Sequence, residues 1–407
     1  MQKRILFLSP YAIPVNSPEA ICSAKLVKVL SEAGYTIDLI CKNNRAEHIY
    51  MPSASDSLFS KGLASVKILY VKQKITLRTV IDHLRAFLKT GYVYEGAQWA
   101  VYAIAEGERL IKKNHYNAIL SRVPPSELAA LYLSKKYGIK WIAGWNDPYP
   151  NECFPAPYGS GANAQVGIMR RKLFRDIVQN AALHTFPCQR LCDYMSGYMQ
   201  LPKEKTLVIP HVCIDGLFEF GEEILPHNTL RIVHAGNIAA PRSPLTLFEG
   251  LQKFKKNNPA AGFEIAFIGR QDADFNDLIH TFNLDNHIKI LPPVDYIANL
   301  KLMSGYDLAL LVEANVEEGI FLPTKVGDYM QSNLPIWAVS PQKGTLNDLH
   351  KDKKIAYFAN VTNSDNIADE MAVIYRDFMN CKGVLTREGI IGEYGVGAEL
   401  GVYDNIL

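Results

Sequence analysis

The sequence predicts an α/β protein of two doubly wound domains, and three observations carry that expectation. The chain has 407 residues, more than one hydrophobic core usually organises, so two cores of roughly 200 residues each are expected. Short apolar runs alternate with stretches of helical periodicity along most of the length, which is the pattern of parallel strands joined by crossover helices. Two runs in the C-terminal half end directly in a glycine, Gly236 and Gly269, as strands do where the chain must turn sharply.

Taken in order, residues 4–9 form the first strand. The opening superficially resembles a secretory leader, but its apolar run stops at Ser9 and Pro10 with no small-residue cleavage site. After a Pro/Asn/Ser turn, residues 20–33 have helical periodicity and stop at Gly34, and residues 35–41 are apolar again, completing a helix between two parallel strands. The series continues with a strand at 118–121, a helix at 126–136, a strand at 140–145, a helix at 169–182 and a last strand at 207–210. A second series opens with a strand at 230–236 and a helix at 245–256. Strands at 263–269, 288–291, 308–312 and 336–339 follow, then a helix at 367–379. Periodicity lapses between Pro210 and Pro226, where Glu219, Gly221 and Glu222 gather. Domains are therefore expected at 1–210 and 211–379, with a tail, 380–407, packing back on the first. Ligands of such folds bind at the carboxyl ends of the strands, here in a cleft between the two sheets.

Composition narrows the function. With 43 basic and 41 acidic side chains the formal charge is +2, too small for a nucleic-acid footprint. The seven cysteines are odd in number and lack metal spacing, which fits reduced thiols and a cytoplasmic location. No run approaches the roughly 20 apolar residues that cross a bilayer. The ten histidines show no pair at metal-ligand spacing, and neither a P-loop nor a Gly-x-Ser-x-Gly occurs, so no metal and no resident cofactor are expected.

The most informative segment runs from Glu318 to Val339. Pro323 and Thr324 suit the start of a helix over 325–331, whose amides and dipole would favour a diphosphate. Thr324 and Asp328 fall on one face, about 6 Å apart along the axis, so a phosphate at the tip and a ribose one turn on would both be reached. Lys325 adds a cation, and the Asp328 carboxylate would accept two ribose hydroxyls.

Phe321-x-Pro323-Thr324-Lys325-x-x-Asp328-Tyr329-Met330, followed by Leu334-Pro335-Ile336, resembles the donor-site helix of glycosyltransferase family 4. That resemblance implies the GT-B fold, in which two Rossmann-like domains face each other across a cleft, the donor on the C-terminal one. The reaction it implies is transfer, with retention, from a nucleoside-diphosphate sugar of UDP or GDP type to a glycan or lipid-linked acceptor, in surface polysaccharide biosynthesis. Of the two family glutamates seven residues apart, the second is matched by Asp328 and the first falls on Ile320. His234-Ala-Gly236-Asn237, with Arg242 beyond, resembles the family segment in which two cations neutralise the diphosphate. Asn237 stands at the arginine position and Arg242 at the lysine position, so Arg242 and Lys325 are expected to stabilise the leaving group. Gly236, Asn237, Thr324, Asp328, Arg270 and Glu313 complete the expected donor side.

On the acceptor side, Tyr11, Asn16 and Ser17 stand where the family has a glycine-rich loop, although Ser17-Pro18 also reads as a simple helix cap. Ser121-Arg-Val-Pro-Pro-Ser and Asn146-Asp147-Pro148 look like acceptor-side segments of polysaccharide-acting members. Asp147 would orient an acceptor hydroxyl or take its proton, the competing reading being a turn initiator. Asp272-Ala-Asp274 matches the metal signature of the other major glycosyltransferase fold, but three residues in a polar loop read as chance. The basic run Arg170-Arg171-Lys172-x-x-Arg175 reads first as a solvated helix face, with peripheral contact to the inner membrane face as the alternative. Rival functions are a nucleotide-sugar epimerase on the same architecture and a non-catalytic scaffold that binds sugar nucleotide or glycan.

Overall fold

The computed structural model describes residues 3–43, 53–71, 76–93, 96–221, 224–387 and 389–407. They divide into two compact units. The first comprises the chain up to Phe154, then Gly159–Val212 and Val396–Leu407, and the second comprises Pro155–Tyr158 and Cys213–Gly395.

The first unit holds a seven-stranded sheet in the order β3-β2-β1-β4-β5-β6-β7, every pairing parallel. Its strands are β1 (Arg4–Leu8), β2 (Thr36–Asn43), β3 (Ser65–Tyr70), β4 (Ala118–Arg122), β5 (Lys140–Gly144), β6 (Leu183–Phe186) and β7 (Thr206–Val208). The helices here are α1 (Pro18–Glu32), α2 (Ala54–Ser60), α3 (Leu77–Thr90), α4 (Ala97–Ile111), α5 (Ser126–Tyr137), α6 (Ile168–Asn180) and α7 (Gln189–Met199). Ser17 caps α1 by accepting from Ala20 N–H at 3.2 Å, and Gly138, at φ 66°, closes α5 in the left-handed region. Ile5, Phe7, Leu26, Leu30, Ile37 and Leu39 build the core between β1, β2 and α1.

The second unit holds a six-stranded sheet in the order β10-β9-β8-β11-β12-β13, again parallel throughout. Its strands are β8 (Leu230–Ala235), β9 (Phe263–Ile268), β10 (Ile288–Leu291), β11 (Leu308–Val312), β12 (Ile336–Ser340) and β13 (Tyr357–Asn360). Its helices are α8 (Leu245–Asn257), α9 (Phe275–Thr281), α10 (Tyr296–Met303), α11 (Lys325–Gln331), α12 (Thr345–Lys351) and α13 (Ser364–Asn380). Phe248, Phe254, Phe263, Phe267, Phe275 and Trp337 fill the core, and Gly250 lets α8 lie against Ile367 of α13. The strand order reverses between β8 and β11, which opens a crevice beyond their carboxyl ends, the place where such sheets take ligands.

The stretch 380–407, expected as one tail, is divided. Residues to Gly395 stay with the second unit, where Arg387 donates to Ser304 O at 3.2 Å and Cys213 N–H to Tyr394 O at 2.7 Å. Only the last residues, which carry α14 (Val396–Ile406), belong to the first unit, where Tyr403 joins the core beside β1 and β2. β6 and β13, four residues each, were not singled out in the sequence, nor was β3, in which no residue is fully buried.

Candidate functional site

β8 runs buried to Ala235, and Gly236 then turns the chain at φ 120°. The glycine is required twice over. Its φ disfavours any side chain, and a Cβ there would sit 2.7 Å from Lys325 Cε and 3.0 Å from its Nζ. The Lys325 side chain therefore crosses directly over the strand-end glycine, although 89 residues separate the two in sequence (325 − 236). Its Nζ lies 3.4 Å from His234 Nε2. His234 Nδ1 is 2.9 Å from Leu310 O, so Nδ1–H donates to that carbonyl and the Nε2 lone pair faces the ammonium.

Glu313 follows β11 and is buried, its backbone N–H bonded to Val339 O at 2.9 Å. Its Oε1 stands 3.8 Å from Arg242 Nε, beyond hydrogen-bond distance. That Nε is buried and has no hydrogen-bond partner among the described residues. His234, Arg242, Glu313 and Lys325 thus converge at the switch point of the sheet. Burial, with Arg242 adding repulsion, pushes Lys325 down to about 8. Burial pushes Glu313 up against the pull of Arg242 and Lys325. Burial and the neighbouring cations hold His234 neutral, far below its ordinary range. Two cations against one reluctant carboxylate, one guanidinium N–H being unpaired, make a ready acceptor of an anion.

One turn into α11, Asp328 is buried and receives the Tyr296 hydroxyl at 2.6 Å on Oδ1. Tyr329 ties the helix to β8 and β11, accepting from Ala235 N–H at 3.1 Å and donating to Leu310 O at 2.9 Å. Thr324 precedes the helix at φ −56° and ψ −28°, already helical, and its side chain makes no capping bond. Of the amides at this helix start, that of Val326 is turned onto Pro323 O at 3.0 Å. Ile320, at the position of the first family glutamate, is 1% exposed, an apolar residue sealed in the fold.

Two of the expected donor residues are tied to each other. Asn237 Oδ1 accepts from Arg270 N–H at 3.0 Å, so the two are linked, but through the Arg270 backbone while its side chain is exposed. Gln271, which no motif singled out, accepts from Ile238 N–H at 2.9 Å and locks the loop after β8 to that after β9. Asp272 accepts from Ala240 N–H at 3.1 Å, which ties the same two loops together. Among the described residues no group of three or more His, Cys, Asp or Glu could hold a metal ion.

In the first unit, Tyr11 and Asp147 both line a cavity of about 400 Å3, with Lys42, Trp145, Tyr149 and Arg170 among its other walls. Asn16 and Ser17, expected beside Tyr11, do not line it: Asn16 is exposed and Ser17 is spent on capping α1. Arg242 and Lys325 stand together in the second unit, whereas Asp147 belongs to the first. A second charged group, hidden from motif reading, lies at the switch point of this sheet between β1 and β4. Arg122 Nε is 3.5 Å from Glu19 Oε1 and its NH2 donates to Asn146 Oδ1 at 2.5 Å. Glu399 of α14 faces the same guanidinium, and burial pushes its carboxyl up to about 8.

No protein-family model matches the chain, and no curated protein does. Solved structures do resemble it over its full length. A glycosyltransferase from Rickettsia africae is 14% identical, with a TM-score of 0.67 over 100% of this chain and 97% of that one. HepE from Anabaena, crystallised with UDP and glucose, is 12% identical, with a TM-score of 0.64 over 100% and 99%. A candidate UDP-N-acetylglucosamine 2-epimerase from Listeria monocytogenes is 12% identical, with a TM-score of 0.57 over 100% and 96%. At such identities the likeness shows the fold, and the fold is GT-B, two Rossmann-like α/β units.

Proposed function

We propose that the protein is a glycosyltransferase that moves a sugar from a nucleoside-diphosphate donor of UDP or GDP type to a glycan or lipid-linked acceptor with retention, in surface polysaccharide biosynthesis. The observation that carries the donor reading is the Lys325 side chain over Gly236, with Arg242 near enough to repel it and holding a buried guanidinium N–H that has no partner among the described residues. A diphosphate satisfies that N–H and supplies a negative partner that offsets the burial and the Arg242 repulsion depressing Lys325. The UDP and glucose held by HepE and the glycosyl transfer named for the Rickettsia protein support the same ligand class.

In the reaction, the bond from the anomeric carbon to the β-phosphate oxygen breaks while an acceptor hydroxyl oxygen bonds to that carbon and gives up its proton. Negative charge grows on the departing diphosphate, where Arg242 and Lys325 stabilise it without a metal. Asp328, which accepts the Tyr296 hydroxyl on Oδ1, takes ribose hydroxyls, and Glu313 contacts the sugar. Tyr11 and Asp147 serve the acceptor, Asp147 orienting or deprotonating its hydroxyl.

The test is a panel of UDP- and GDP-sugars assayed for nucleoside-diphosphate release with and without glycan acceptors, products identified by mass spectrometry. Acceptor-dependent release that falls about 10²-fold or more in Arg242→Ala is expected. Isomerised or hydrolysed donor without acceptor would instead establish an epimerase, and binding without turnover a scaffold.

A further inference from the structure

The helix α3 is mounted in reverse. Its face toward the protein carries Thr79, Asp82 and Ala86, all buried. Asp82 anchors it through Gln98 Nε2 at 3.0 Å and the Tyr102 hydroxyl, both on α4. The apolar residues point the other way: Leu77, Val80, Ile81, Leu84, Phe87 and Leu88 are exposed, Leu77 by 78% and Leu88 by 73%. At 3.6 residues per turn these six span one arc of about 120°. A capping box at Thr76 and Thr79 and a left-handed Gly91 at φ 77° fix both ends, so the stripe is a formed surface.

Basic groups border this stripe. Arg78, Arg85 and Lys89 fall along one flank of α3, Arg85 and Lys89 with carboxylates at 3.4 and 3.3 Å. The neighbouring α6 is tied to the C-terminal end of α3 by the Tyr92 hydroxyl on Asp176 and by Lys172 Nζ, 5.8 Å from the Tyr92 ring centroid. α6 adds exposed Ile168, Met169, Arg171, Lys172 and Arg175. A chain with a formal charge of only +2 thus concentrates cations beside its largest run of exposed apolar side chains among the described residues. That combination fits a bilayer bearing anionic headgroups better than an uncharged partner, because acyl chains take the leucines while phosphates take the arginines.

We infer that α3, with the start of α6 beside it, is a membrane-surface helix that lies in the headgroup region of an anionic bilayer. It is 14 residues long, about 21 Å, and no helix among the described residues is long and apolar enough to cross a membrane, so the contact lies in the plane.

The full-length protein should sediment with phosphatidylcholine vesicles containing phosphatidylglycerol, and about tenfold less with phosphatidylcholine alone or at high salt. L84E/L88E should lose most of that binding while keeping its near-UV circular dichroism. K172E/R175E, which leaves the stripe intact, should lose the preference for anionic lipid. Failure of the wild type to sediment with anionic vesicles, or undiminished binding by L84E/L88E, overturns the inference. So does concentration-dependent dimerisation in ultracentrifugation that L84E/L88E abolishes, since the face would then belong to a second copy.

Discussion

Lys325 is where charge and conformation meet. Its ammonium lies over Gly236 and against the lone pair of a neutral His234, and burial beside Arg242 holds it near 8. A bound diphosphate favours the ammonium, so in the complex Lys325 titrates above that value. Nucleoside-diphosphate affinity should be full below pH 8 and fall as pH rises through it, by up to about tenfold per unit. A titration series from pH 6 to pH 10 measures this, and Lys325→Arg, which cannot lose its proton there, should flatten the curve. Lys325, Arg242 and Asp328 were legible from the sequence because they lie in short local motifs. Tyr296 and Gln271 were not, and His234, although it opens a quoted motif, showed no sign there of its contact with Lys325, because each acts on a partner that only the fold brings near.

At the scale of elements, the strand-end glycine and the helix contacts set the site. Gly236→Ala is expected to lower nucleotide affinity about tenfold or more, by straining φ and displacing Lys325, which calorimetry on the folded variant would show. Gly250→Ala reaches Ile367 at 2.6 Å, so it should cost about 1–3 kcal/mol of stability by overpacking α8 on α13, read from thermal denaturation. The helix α14 carries a pH signature. Glu399 titrates near 8 when folded against an ordinary 4.5, so the folded state holds the extra proton and stability falls as pH rises from 4.5 to 8. Glu399→Gln should therefore raise the melting temperature by several degrees at pH 8 and change little at pH 4.5, with Glu19 still pairing Arg122. The alternation of strand and helix was readable wherever a strand is fully buried, as in β8, β9 and β11. No helix was read at α3, and its period alone would not tell an apolar face turned outward from one turned to a core.

For the whole molecule, two parallel sheets in one chain explain why the chemistry splits. The Arg242 and Lys325 cations sit at the switch point of the six-stranded sheet, and the cavity with Tyr11 and Asp147 belongs to the seven-stranded unit. The lapse of periodicity near Pro210 pointed to this division, and the expected return of the tail to the first unit holds for Val396–Leu407, where Tyr403 and Glu399 find buried places; that residues 380–395 stay with the second unit was not readable from the sequence. The central claim is that the second unit binds a diphosphate through Arg242 and Lys325. Calorimetric titration of UDP and GDP into wild type, Arg242→Ala and Lys325→Ala at neutral pH tests it most directly. Binding of at least one nucleotide, weakened about tenfold or more by each substitution, is the expected result; no binding of either nucleotide, or equal affinity in Arg242→Ala, would contradict it.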